Sequence, residues 1–272
     1  MLSLPRLVRF AGLLCGVIVI PPSTGCRRDP EREAADKAQR DYERTRDALL
    51  ARGDPNLMRP APVHGLGAPS EKLDAQAIKR LVRPLSDTVL EIDALRIDLE
   101  AHSVEIPAAV ALKEGILEYL VVTISGKAYE SAFTADVVPL HLRLALTLAG
   151  FEEATPDNPR GGDAVRVLVR YANAAGKEMS VPATALLVDR RTGRAPPALS
   201  WRFTGSDVHD GQVTADSTGS LVATRFDPTA LVNATLDTGN PYEGPQTGLG
   251  VNKAVMPAVG TPVRLLLVRE TP

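Results

Sequence analysis

Between Glu118 and Ser131 the sequence reads EYLVVTISGKAYES, which gathers two carboxylates, a lysine and two tyrosines around a Ser-Gly pair. Glu118 and Glu130 are the residue types of a paired general acid and base, and Lys127 lies between them. The same stretch carries β-branched residues on both sides of Ser125-Gly126, a turn dipeptide, and so predicts a β-hairpin. A two-residue loop sends Glu118 and Glu130 to opposite faces of the ribbon by period-two alternation. A three-residue loop puts them on one face, but roughly 13 Å apart at strand rise. Even the carboxyls of an inverting glycosidase stand only about 6.5–9.5 Å apart. Neither register makes a dyad.

Other residues could do chemistry only if the fold gathers them. His141 stands in an apolar run, PLHLRLALTLAGF, on a face with Leu144, Ala145 and Leu148; it is a base, a ligand or a buried histidine satisfied by one hydrogen bond. SDVHDGQVTAD offers Asp207, His209, Asp210 and Asp216, which suit a divalent cation but equally suit turn chemistry at a hairpin tip. The TGS triplets at 204–206 and 218–220 sit outside any G-x-S-x-G elbow, and GLGVNK lacks the third glycine of a dinucleotide site. Trp201, the sole tryptophan, fills the core or anchors a ligand or partner. The spacings point to no catalytic set, no metal centre and no cofactor. Glu118, Lys127, Glu130, His141, Trp201 and Asp216 are the candidate binding residues.

The elements that must position them read as α+β: mainly antiparallel β with two or three helices, preceded by a charged helical or disordered spacer. Strands are predicted around Leu90–Leu99 and Val104–Val110, at Ala164–Ala172, at KEMSVP, at LSWRFTGSDV pairing across HDG with GQVTADSTGSLVATRF, and at PVRLLLVRE. Helices are predicted at PLHLRLALTLAGF, with Pro139 in the first turn and Gly150 at the end, and at DPTALVNA.

Ahead of this domain, Arg6 and Arg9 precede an apolar run over Phe10–Ile20, too short to span a bilayer but right for a signal-peptide core. Ser23, Thr24 and Gly25 then precede Cys26, an order that resembles a bacterial lipoprotein processing site, with Ser23 where an aliphatic residue is usual. Cys15 lies in the signal core, which leaves Cys26 without an intramolecular partner and favours its lipidation over a free thiol. Arg27 rather than aspartate follows, resembling the pattern that sorts to the outer membrane. The expected organisation is a signal peptide over 1–25, a charged spacer and Pro/Gly-rich linker over 26–85, and a globular domain over 86–272. With 31 basic and 33 acidic residues, the chain carries no footprint for nucleic acid.

The blocks GILEYLVVTISGKAYES, PLHLRLALTLAGF, WRFTGS, DGQVTADSTGSLVA, DPTALVN and PAVGTPVRLLL, in that order, resemble the YdjY-type domain of exported bacterial proteins and lipoproteins. The resemblance runs over approximately 89–269. It implies a cell-envelope compartment and no particular reaction. Tyr129 stands where the family pattern has histidine, and no cysteine follows Cys26, so neither an imidazole role nor an iron–sulfur cluster carries over. The expectation is a lipid-anchored envelope protein facing the periplasm, attached to the membrane through Cys26, with a non-catalytic binding or structural domain and an envelope partner or ligand of unknown kind. The alternative is an envelope enzyme or metal-binding protein with a site built from Glu118, Lys127, Glu130, His141 and Asp216.

Overall fold

A computed structural model describes residues 74–270 except 174, 197, 198, 240 and 242–246. The signal segment, Cys26 and the charged spacer lie outside the described residues. Long apolar alternation builds the longest strands. In β8 (Ala164–Ala172) and β17 (Pro262–Glu270) one face is buried and the other turns outward, and both strands fall where the sequence predicts them. They pair antiparallel, and β17 pairs on its other edge with β4 (Ser103–Val110).

The α+β expectation is overturned, because the sheet closes on itself. Starting at β4, the order runs through β17, β8, β11 (Trp201–Phe203), β15 (Val232–Ala234), β14 (Ser220–Ala223), β6 (Tyr119–Thr123) and β7 (Ser131–Ala135), and β7 returns to β4. The result is an eight-stranded barrel of mixed pairing, with β6–β7 and β14–β15 parallel. An eight-stranded barrel is narrow enough for side chains to fill it. Phe133, Phe203, Ile106, Leu120 and Trp201 are among the large side chains buried in its core.

Outside the ring, β1 (Val82–Pro84), β2 (Val89–Ile92) and β3 (Leu95–Asp98) extend the sheet from the first half of β4. The single strand predicted over 90–99 is thus a tight hairpin, turned at Asp93 with φ 50°. On the far side β9 (Glu178–Pro182) continues β8. A small second sheet joins β10 (Leu187–Asp189), β16 (Leu249–Val251) and β5 (Ile116–Leu117), and β12 (Val208–His209) with β13 (Gln212–Val213) forms a separate ribbon. Among the described residues there are three α-helices, and they form no layer: α1 (Ala75–Leu81), α2 (Pro139–Leu148) and α3 (Thr214–Thr218). α2 matches its predicted span, whereas DPTALVNA is a turn leading into β15.

The predicted hairpin at Ser125-Gly126 is also overturned, for a local reason. Because β6 and β7 are parallel, with Tyr119 opposite Ser131 and Val121 opposite Phe133, the chain between them must return about 13 Å. Residues 124–130 span that distance with one turn at Gly126 and a 3-10 turn over Ala128–Glu130. Gly126 is required by packing: a Cβ there would lie 2.9 Å from that of Val122 and 3.3 Å from the Gly219 carbonyl. Gly219 ends α3 at φ 73°, and its own Cβ would fall 2.3 Å from Thr123 Oγ1. The two glycines let the connector and the end of α3 touch through backbone.

Candidate functional site

Parallel pairing of β6 and β7 brings the starts of both strands to one rim of the barrel. Glu118 occupies the break between β5 and β6, where the chain leaves the small sheet for the barrel, and Glu130 closes the 3-10 turn before β7. The Glu118 amide donates to the Glu130 carbonyl at 3.0 Å, which sets the two residues side by side. Thr224, just past β14, fixes the break by donating through Oγ1 to the Leu117 and Glu118 carbonyls at 3.0 and 2.8 Å. Arg225 follows it, and its guanidinium donates to Glu118 Oε1 at 3.0 Å. Lys127 Nζ reaches Glu118 Oε2 at 3.0 Å and Glu130 Oε2 at 3.5 Å.

The expected separation of the two glutamates therefore fails. Both carboxyls reach the one Lys127 ammonium, and contact with Glu130 is among the causes that lower Glu118. Both are buried, whereas the Lys127 and Arg225 side chains remain 47% and 36% exposed. Two carboxyls thus sit behind two half-exposed cations. Beside them the Tyr119 hydroxyl donates to Asp227 Oδ2 at 2.6 Å, and Lys127 Nζ lies 5.8 Å from the Tyr119 ring centroid. Asp227 is held in turn by Asn233, whose Oδ1 accepts from the Asp227 amide at 2.7 Å and whose Nδ2 donates to Thr204 Oγ1 at 2.7 Å.

The electrostatics follow from this geometry. Burial alone would push the Glu118 carboxyl up, but hydrogen bonds from Glu130, Arg225 and Lys127 outweigh it and hold Glu118 below the ordinary carboxylate range. Burial opposes the charge on Lys127, yet the Glu118 carboxylate, with Glu130, raises the lysine above its ordinary value. Burial and then the bond to Asp227 raise the Tyr119 phenol. Lysine and tyrosine contribute stability that is complete below their unfolded pKa values, near pH 10, and lost as pH rises through the raised folded values. Glu118 has the opposite sense, its contribution complete above the unfolded carboxylate pKa and lost on acidification. Urea midpoints should fall above about pH 10, and Lys127→Met and Tyr119→Phe should each flatten that alkaline fall. An alkaline slope identical to that of the parent in both variants would contradict the assignment.

The other candidates lie elsewhere. His141 sits on a flank of α2 rather than in the core, with Nδ1 2.5 Å from Asp93 Oδ2 in the β2–β3 turn. Asp216, in α3, accepts from the Leu140 amide at 2.9 Å and so caps α2, whose own N-cap residue, Val138, provides no side-chain bond. Trp201 is buried in the core and donates through Nε1 to the Ala223 carbonyl at 3.0 Å. Among the described residues, no three His, Cys, Asp or Glu side chains are grouped to hold a metal ion. Sequence reasoning missed Arg225, Tyr119 and Asp227. Arg225 falls at the end of the segment GQVTADSTGSLVATRF predicted as strand, but only the strand order shows that it faces Glu118.

No curated protein and no solved structure matches the chain. The model of the YdjY domain matches residues 95–268, from β3 to the last strand of the barrel, and takes in the whole carboxylate and cation cluster. The chain therefore belongs to the YdjY domain family.

Proposed function

We propose that this is a lipid-anchored protein of the bacterial cell envelope, held by Cys26 at the outer membrane and facing the periplasm, whose YdjY domain works as a non-catalytic binding or structural module. The anchor rests on the Arg6/Arg9 and Phe10–Ile20 signal pattern and on the small residues before Cys26. The observation that supports a non-catalytic role is the direction of the pKa shifts in the cluster. Glu118 is moved down, and Lys127 and Tyr119 up, each away from neutrality. General acid–base catalysis needs the reverse, a group tuned toward the working pH. A cluster so matched in charge fastens three rim segments to one another: the β5–β6 break, the β6–β7 connector and the β14–β15 loop.

A second reading, an envelope enzyme, draws on the convergence of the Glu118 and Glu130 carboxyls on Lys127 at one rim of the barrel. It would have to work without His141 and Asp216, which are engaged with Asp93 and with the end of α2. Intact mass and detergent partitioning of the native protein test the anchor: an acyl-modified chain beginning at Cys26 and entering the detergent phase is expected. A soluble protein without added acyl mass would remove the anchor. A Glu130→Gln variant that folds normally but loses the phenotype of the parent would favour the enzyme.

A further inference from the structure

The outer face of the barrel wall carries a charge pattern that folding alone does not call for. Directly opposed residues form a row across the sheet: Arg83, Glu91, Arg96 and Glu105 on β1 to β4, then Leu266 on β17 and Leu168 on β8. In the next row Arg264 and Arg170 face each other across β17 and β8. Like charges directly opposite destabilise a ladder. Here Glu105, its side chain only 12% exposed, lies beneath both: Arg264 Nη1 is 2.5 Å from Oε1, and Arg170 Nη1 is 3.5 Å from Oε2. Arg96 is exposed on the other side of Glu105, and Arg166 is exposed one row beyond Leu168, beside Val268. Four arginines thus surround one carboxylate and a strip of half-buried Leu168, Leu266 and Val268. Acidic residues share the face: Glu91 lies opposite Arg96, Asp98 lies in the row of Val268 and Arg166, and Glu178 and Glu270 stand at strand ends.

We propose that this face of β3, β4, β17 and β8 rests on an anionic lipid surface. A guanidinium binds phosphate through paired donors, which an ammonium cannot do, and all four cations here are arginines. The apolar strip between them suits the headgroup boundary, and the Arg170 and Arg264 side chains stay exposed over the buried Glu105, so guanidinium groups are what this part of the face presents outward. The proposal rests on the placement at a membrane given above, since a domain tethered at Cys26 meets lipid at high local concentration.

The test uses the chain from residue 26 onward with Cys26→Ala, so that binding owes nothing to an acyl anchor or to the apolar 10–20 run, and measures co-sedimentation with vesicles of phosphatidylcholine alone or mixed with phosphatidylglycerol. Binding is expected to the mixed vesicles only and to weaken with salt. Arg166→Gln should lower it by roughly fivefold, and Arg170→Gln with Arg264→Gln by tenfold or more. Circular dichroism establishes that each variant is folded, and Arg166→Gln, whose side chain makes no ion pair among the described residues, keeps the test open if the double variant is not. Equal binding to both vesicles, binding unchanged in the folded variants, or self-association through this face in place of lipid binding would overturn the proposal. Failure of the acyl-mass experiment alone would remove the anchor and leave this result standing.

Discussion

Replacing both rim cations, Lys127→Met together with Arg225→Met, is expected to destabilise the domain by about 3 kcal/mol at pH 7 and by much less near pH 4. Glu118 is the reason. Its side chain is 8% exposed, and its two oxygens accept from these two cations. With both removed, a buried carboxylate is left without a counter-charge, and its pKa must rise instead of fall. Acid then relieves the penalty by protonating the group. Each single replacement should cost only roughly 1 kcal/mol or less, because the remaining cation still serves Glu118 and the lost one was half exposed. The effects are therefore expected to be more than additive. Adding Glu118→Gln to the double variant should recover most of the loss, since removing a whole ion pair is often close to neutral. Urea denaturation at the two pH values measures all of this. A double variant as stable as the parent at pH 7 would show that the cluster does not fasten the rim.

Trp201→Ala is expected to cost about 3–5 kcal/mol, the range for emptying an aromatic site in a core. Trp201 is 2% exposed, pairs with Ala234 on β15 and Val165 on β8, and its indole reaches across to the Ala223 carbonyl on β14. Truncation opens a cavity beneath the three-residue strand β11 and leaves that carbonyl without its donor. Trp201→Phe keeps most of the packing and should lose only about 1–2 kcal/mol, chiefly from the hydrogen bond. Thermal unfolding of both variants separates packing from hydrogen bonding. If Trp201→Ala unfolded like the parent, the side chain would be a surface anchor after all.

Much of the chain's local structure was legible. The strands at 164–172 and 262–270 and the helix from Pro139 follow from alternation, from helix-favouring apolar residues and from a proline in the first turn. The family was legible too, from the order of its blocks. Asp216 shows where such reading stops. As part of SDVHDGQVTAD it reads as turn chemistry or a ligand, yet it caps a helix that begins 77 positions earlier in the chain. Nothing within α2 announces that its first amide needs an outside acceptor, except that Val138 cannot supply one.

What the sequence by itself determined is the domain family, the longest strands and the types of residue at the rim. Only the tertiary structure decided that Glu118 and Glu130 meet. Alternation along a strand specifies which face a side chain takes, but not whether the next strand runs parallel or antiparallel. In EYLVVTISGKAYES the parallel choice is made by partners far away in sequence: by β14 and β4 on either side of the pair, and by Gly219, against which Gly126 packs. A short connector then carries Lys127 and Glu130 back to the level of Glu118, and Arg225 arrives from the neighbouring strand to complete the charge balance.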